Sequence, residues 1–301
     1  MIRIVKNGLA LMLIGVLTLV SCSSDDDNNG PDLEALRLNI NGLEDLGENY
    51  VYEGWVIVNG SPVSTGVFTV NSEGVLSQTN FEIEETVLDA ATTFVLSIEP
   101  SVDSDPAPAD TKILVGNFSN DNASLTTGIV GDFTDATGSF FLRTPTDETG
   151  TNNGNDENGV WFGLPGMPPA AGLELPDLPD GWVYEGWVYE GWVVADEGPI
   201  TTGTFTALDA VDSGNPFSGA EANAGPPIPG EDFFLNAPSG FAFPLDVRGK
   251  TVVISVEPSP DNSPAPFTLK PLVGTAGTAT APEVHSLGLN LGSLPTGTAT
   301  R

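Results

Sequence analysis

The sequence predicts an all-β protein: two tandem antiparallel β-sandwich domains behind a lipoprotein signal peptide and a flexible acidic tether. Three observations carry this expectation. A block of sequence occurs twice. Within it, apolar residues alternate with polar ones at the two-residue period of strands. The short runs so marked are separated by Gly, Pro, Asn and Asp turns, and no segment carries a 3.6-residue stripe.

Residues 1–21 read as a signal peptide. Arg3 and Lys6 precede an apolar run over 8–20 that is too short for a comfortable membrane span. Leu19-Val20-Ser21-Cys22 resembles a bacterial lipobox, which implies cleavage before Cys22 and lipidation of its thiol. Cys22 is the only cysteine, so no internal disulfide staples the chain. Residues 22–32 read as a solvated tether. Within it Ser24, Asp25, Asp26 and Asp27 resemble the surface-export signal of Bacteroidetes lipoproteins. The expected location is the outer membrane, held through N-terminal lipid at the cell surface, with its periplasmic face as the alternative. Each buried lipid methylene contributes about 0.8 kcal/mol to such an anchor.

Charge narrows the partners. The full chain carries a formal charge of −32, and removing 1–21 removes Arg3 and Lys6 but no acid, which leaves −34. So acidic a chain does not bind nucleic acid by neutralising phosphates. The expected partner is an envelope or extracellular protein or a glycan.

The repeat sets the modules. Tyr52-Glu53-Gly54-Trp55-Val56 returns as Tyr189-Glu190-Gly191-Trp192-Val193, each followed by Thr-Gly (65–66, 202–203) and Phe (68, 205). Ser97-Ile98-Glu99-Pro100-Ser101 returns as Ser255-Val256-Glu257-Pro258-Ser259. Lys112 and Leu114-Val115-Gly116 return as Lys270 and Leu272-Val273-Gly274. Module one is assigned to 33–162, a Pro-rich linker to 163–171 and module two to 172–301. Strands are expected over 36–40, 49–58, 63–70, 81–87, 93–99, 112–115, 123–127, 139–143 and 160–162. Residues 144–159 are expected as a loop inside module one. Before Trp192 the unit Gly-Trp-Val-Tyr-Glu is duplicated. An odd insertion reverses strand facing, so a bulge or an exposed tryptophan is expected there.

The run Tyr-x-Gly-Trp, then Thr-Gly-x-Phe, then a β-run ending in Glu-Pro, a Pro-rich loop and Leu-Val-Gly resembles the C-terminal extracytoplasmic domain of anti-sigma-K factors. The resemblance rests on 52–68 with 97–116 and on 189–205 with 255–274. It implies a β-sandwich and a role as an envelope sensor or binding module. The cytoplasmic sigma-binding part of that family has no counterpart here.

Chemistry is sparse. There is one histidine, His285, no Cys/His zinc spacing, no Gly-x-Ser-x-Gly elbow and no phosphate loop. No catalytic residue and no cofactor are therefore assigned. With 41 acids, pairs suited to glycoside hydrolysis are unavoidable and uninformative. Glu99 with Lys112, and Glu257 with Lys270, are expected to form structural ion pairs closing the Pro-rich loops. Trp55 and Trp192 read as core. Trp182 and Trp187, in the duplicated stretch, are the candidate ligand platform. Calcium is the one ion considered, with Asp103, Asp105 and Asp110, or Asp147, Glu148, Asp156 and Glu157, as its candidate ligands. The reading is thus a non-enzymatic envelope lipoprotein that binds or senses. An envelope regulator linked to anti-sigma signalling is its alternative, and a carboxylate-dependent surface hydrolase the second.

Overall fold

A computed structural model describes residues 31–148, 154–182, 189–195, 198–213, 216–218, 226–258 and 265–301. The expected all-β class is found. In chain order the strands are β1 (Leu33–Asn41), β2 (Tyr50–Val58), β3 (Ser61–Phe68), β4 (Asn80–Glu84), β5 (Ala91–Pro100), β6 (Lys112–Ser119), β7 (Asn122–Leu125) and β8 (Thr137–Leu142). There follow β9 (Gly159–Trp161), β10 (Gly163–Leu164), β11 (Ala170–Ala171), β12 (Leu173–Glu174), β13 (Tyr189–Ala195), β14 (Gly198–Phe205) and β15 (Gly230–Asp232). The last are β16 (Thr251–Val256), β17 (Leu272–Thr275), β18 (His285–Leu289) and β19 (Thr296–Thr300). One short helix, α1 (Glu85–Ala90), departs from the strand expected over 81–87; its Leu88 is fully buried.

The strands form two large antiparallel sheets. The first runs β3-β2-β5-β6-β7-β19-β1-β4 and the second β14-β13-β16-β17-β18-β8-β9-β15, with a ninth strand, β12, also paired to β8. Apart from β12 the two orders correspond position for position. Each sheet curls until its end strands, β3 with β4 and β14 with β15, lie side by side, so few edges stay open. One apolar core runs through both, from Leu36, Tyr52 and Phe94 to Phe233, Val252 and Leu269.

Sheet membership does not follow the linear repeat. β8 and β9 lie before the second copy of the repeat in sequence, yet they complete the second sheet, while β19, from the far end of the sequence, completes the first. In each sheet the strand after the repeat's last one, β7 or β18, therefore comes from the other copy. The segment 163–171, expected as a linker, holds the small hairpin β10–β11. The loop expected over 144–159 joins β8 to β9 within the second sheet.

The repeated Gly-Trp and Thr-Gly motifs have a local reason. Register shifts at Gly54/Trp55 between β2 and β3, and at Gly191/Trp192 between β13 and β14. Opposite these bulges sit Gly66 and Gly203, with φ of 117° and 113°, a region that favours glycine. Across the ladder, a Cβ on Gly54 would fall 2.5 Å from Thr65 Oγ1 and 3.1 Å from the Phe94 ring. Both copies carry this bulge, so it belongs to the repeat. The bulge or exposed tryptophan expected from the five-residue duplication falls on residues 183–188, outside the described residues.

Candidate functional site

Two groups of buried acids stand out, one repeated and one confined to the second sheet. The repeated one is built on the Ser-x-Glu motif. Glu99, at the end of β5, is buried. Its Oε1 accepts the Ser97 hydroxyl and the Ala109 N–H, the latter at 2.8 Å. Ser97 Oγ in turn accepts Trp55 Nε1 at 2.9 Å. Strand alternation puts residues 97 and 99 on one side of β5, so the two side chains meet. Burial raises the Glu99 carboxyl above its ordinary range, and the two donors partly offset this.

Glu99 and Lys112 do not form the expected ion pair. Lys112 Nζ donates to the Ala109 carbonyl at 2.9 Å and lies 3.7 Å from Asp110. Both side chains thus hold Ala109, one by its N–H and one by its carbonyl, and the Pro-rich loop is closed without their meeting. The second copy repeats the acid's part. Glu257 accepts the Ser255 hydroxyl, and the Phe267 N–H approaches its two oxygens at 3.0 and 3.1 Å. Lys270 is not among the ion-paired cations of the described residues. Burial lowers its ammonium below the ordinary range, against the opposing fields of Glu44 and Glu257. The expected Glu–Lys pairs are therefore replaced by carboxylate-to-backbone bonds. A nearby N–H satisfies a buried carboxylate without burying a second charge.

The second group was not singled out from the sequence. Glu231 and Asp232, on β15, are both fully buried. Asp232 Oδ2 accepts the Thr146 N–H at 2.9 Å and the Thr146 hydroxyl at 2.6 Å, and its Oδ1 accepts Trp161 Nε1 at 2.9 Å. Glu231 accepts the Ser218 hydroxyl, the Phe217 N–H at 3.3 Å and the Asp232 N–H at 2.9 Å. Burial pushes the carboxyls up, Glu231 to about 8 and Asp232 to about 6, with a smaller like-charge effect of Asp232 on Glu231 and of Asp156 on Asp232. A catalytic acid with such a value needs a route to substrate, and these two have no exposed surface. What they do is tie the β8–β9 connection, β9 and β15 together. The signal available in sequence was Gly230-Glu231-Asp232 set between Ile228 and Phe233-Phe234: two acids inside an apolar run.

The remaining expected sites fall as follows. Trp182 is not a ligand platform: its ring is fully buried, packs against Phe267 at 6.2 Å, and donates from Nε1 to the Lys112 carbonyl at 3.3 Å. Trp187 lies outside the described residues, as do Cys22, Ser24, Asp25, Asp26 and Asp27. Trp55 is buried as expected for core. Asp103 and Asp105 accept the N–H two residues on, at 2.8 and 3.0 Å, and Asp110 faces Lys112. Among the described residues no group of three or more His, Cys, Asp or Glu side chains gathers as metal ligands. His285 packs on Phe140 at 5.2 Å and its Nε2 meets the Ala279 carbonyl at 2.9 Å.

Comparison with protein families, with curated proteins and with solved structures finds no match to this chain.

Proposed function

We propose that the chain is a lipid-anchored protein of the bacterial cell envelope whose β domains bind or sense an envelope or extracellular protein or glycan without catalysing a reaction. The observation that carries this reading is Leu19-Val20-Ser21-Cys22 followed at once by Ser23-Ser24-Asp25-Asp26-Asp27. The lipid holds the chain at the membrane, and the acidic tether spaces the folded part from it. The burial of the most perturbed acids supports a framework role for them. Contact with a partner then falls to the loops. Val102, 92% exposed on the Pro-rich loop between β5 and β6, and Met167, 100% exposed on the β10–β11 hairpin, are the apolar side chains such a contact would use first.

The test is protease shaving of intact cells, followed with an antibody against the folded part, beside a Cys22→Ala variant assayed for lipid incorporation. Degradation without lysis, and loss of lipid in the variant, are the expected results. An unlipidated wild-type chain overturns the anchor. A lipidated chain protected until the outer membrane is broken moves it to the periplasmic face. There the anti-sigma-like repeat favours the second reading, an envelope regulator, and the comparison to make is sigma-dependent transcription with and without the gene.

A further inference from the structure

The place between β7 and β1 is a strand-accepting slot, and its counterpart lies between β18 on one side and β12 and β9 on the other. In the first, β19 pairs with β7 and β1; in the second, β8 pairs with β18 on one side and, on the other, with β12 at Thr137 and Gly138 and with β9 at Phe141 and Leu142. The registers agree. Gly297 of β19 faces Leu125, and Gly138 of β8 faces Leu287. The strands begin alike, Thr137-Gly138-Ser139 and Thr296-Gly297-Thr298. Each slot is therefore filled by a strand that follows the other copy of the repeat, delivered across from one sheet to the other.

The two fillings differ in how firmly apolar contact holds them. β8 buries Phe140, Phe141 and Leu142 completely. β19 buries only Ala299 among its side chains, and Thr296 is exposed. Burying three large apolar side chains contributes several-fold more than burying one alanine. What holds β19 is mainly its backbone ladder, together with Arg301. That guanidinium donates to the carbonyls of Leu88, Ala91 and Asn120 and lies 4.6 Å over the Phe118 ring. Backbone bonds are the part of the contact any extended strand of the same register can make. The crossing from β18 to β19 is short: a 3-10 turn at Leu291–Ser293, pinned by Ser293 Oγ and Asn290 Nδ2 to the Lys270 carbonyl, both at 3.0 Å.

We propose that β19 exchanges between copies: the Thr296–Thr300 strand of one molecule seats in the β7–β1 slot of another, linking the two. The slot already accepts a strand from a different module, the strand is the least apolar of the two fillings, and its crossing segment is the hinge that would re-aim it. Exchange of an identical element is a low-cost route to association, and tethering on one membrane raises the concentration that favours it. The concentration argument rests on the proposed lipid anchor; the exchange itself is independent of the ligand-binding reading.

Asn122 and Thr300 face each other across β7 and β19. The test uses the full chain with Cys22→Ser, so that the only thiols are those introduced. One preparation carries Asn122→Cys, a second Thr300→Cys and a third both. The doubly substituted chain closes a disulfide within the monomer if β19 seats as described. Mixing the two single variants after mild warming is expected to shift them to a disulfide-linked heterodimer, with a yield that rises with protein concentration. That yield should exceed the yield from Thr300→Cys mixed with Glu73→Cys, a pair that meets only by collision. Sedimentation of the Cys22→Ser chain after the same treatment should show the matching dimer. Heterodimer no more abundant than the collision control overturns the proposal, whether the protein is then monomeric or dimerises by another face. Failure of the double variant to close overturns the seating on which it rests.

Discussion

Gly297 lies opposite Leu125 across the β19–β7 ladder, the same pairing that Gly138 makes with Leu287 across β8–β18. The surroundings of the two glycines differ. A Cβ on Gly297 would come within 2.5 Å of the Asn39 carbonyl oxygen and 2.8 Å of Ile40 Cα, both backbone of β1. A Cβ on Gly138 would meet the ends of the Leu287 and Leu272 side chains at 2.8 and 3.0 Å, and leucine tips move by changing rotamer. Gly297→Ala is therefore expected to destabilise by about 1–3 kcal/mol, as overpacking does, and Gly138→Ala by less. Denaturant unfolding of the two variants checks the order; a larger loss at 138 would contradict the closer backbone approach of β1 to Gly297.

Ser97 stands between two buried groups, Trp55 Nε1 and the Glu99 carboxyl. Ser97→Ala leaves the indole N–H without its acceptor and the carboxyl without one donor. The expected loss is about 1–3 kcal/mol. Lys112 is partly exposed and holds only Ala109 and Asp110, so Lys112→Met is expected to change stability by less than about 1 kcal/mol. The two melting temperatures decide between a carboxylate held by neutral donors and one held by an ammonium. A Lys112 loss as large as the Ser97 loss would restore the ion pair.

Trp182 fills the core and joins two parts of it, with Lys112 on one side and Phe267 on the other. Trp182→Ala is expected to cost about 3–5 kcal/mol, and Trp182→Phe less, since it keeps most of the apolar ring and gives up the indole N–H bond. Tryptophan fluorescence of the wild type should resist quenching at this position. Stability unchanged in Trp182→Ala would return the residue to the role of an exposed platform.

The strands were legible because their signal is local. Leu36, Leu38 and Ile40 alternate along β1, and period two needs no knowledge of the partner strand. The bulge was half legible: Gly54-Trp55 and Thr65-Gly66 stood out as repeats, but the reason, two glycines facing across one kink, appears only when β2 meets β3. The exchange of β8 and β19 was not legible. A linear repeat says which residues correspond and nothing about which copy they pair with, and Thr-Gly-Ser against Thr-Gly-Thr is too short a likeness to notice. The acids failed for another reason. Coulomb attraction pointed Glu99 toward Lys112, whereas the nearer Ser97 and Ala109 donors satisfied it. Glu231 and Asp232 were lost among 41 acids.

Those two acids make stability depend on pH in an unusual direction. Carboxyls of an unfolded chain titrate near pH 4. In the fold, burial holds Asp232 protonated up to about 6 and Glu231 up to about 8. Between these limits the folded state binds more protons than the unfolded one, so stability falls as pH rises. The contribution is complete below about pH 4, and its loss finishes once pH has passed about 8, at up to about 1.4 kcal/mol per pH unit for each group. Glu99, also raised by burial, acts in the same sense. The melting temperature is therefore expected to drop from pH 5 to pH 8.5, the opposite of a protein held by carboxylate ion pairs. Glu231→Gln keeps the side-chain shape and removes the ionisation; its oxygen keeps the Ser218 hydroxyl and the Asp232 N–H, and its amide faces the Phe217 N–H, where the protonated acid places its hydroxyl. It should melt higher than wild type at pH 8.5, close to it at pH 5, and show a flatter profile from 6 to 8. A wild-type melting temperature that rises across this range, or a variant whose profile runs parallel to wild type, would show that Glu231 ionises in the fold at its ordinary value.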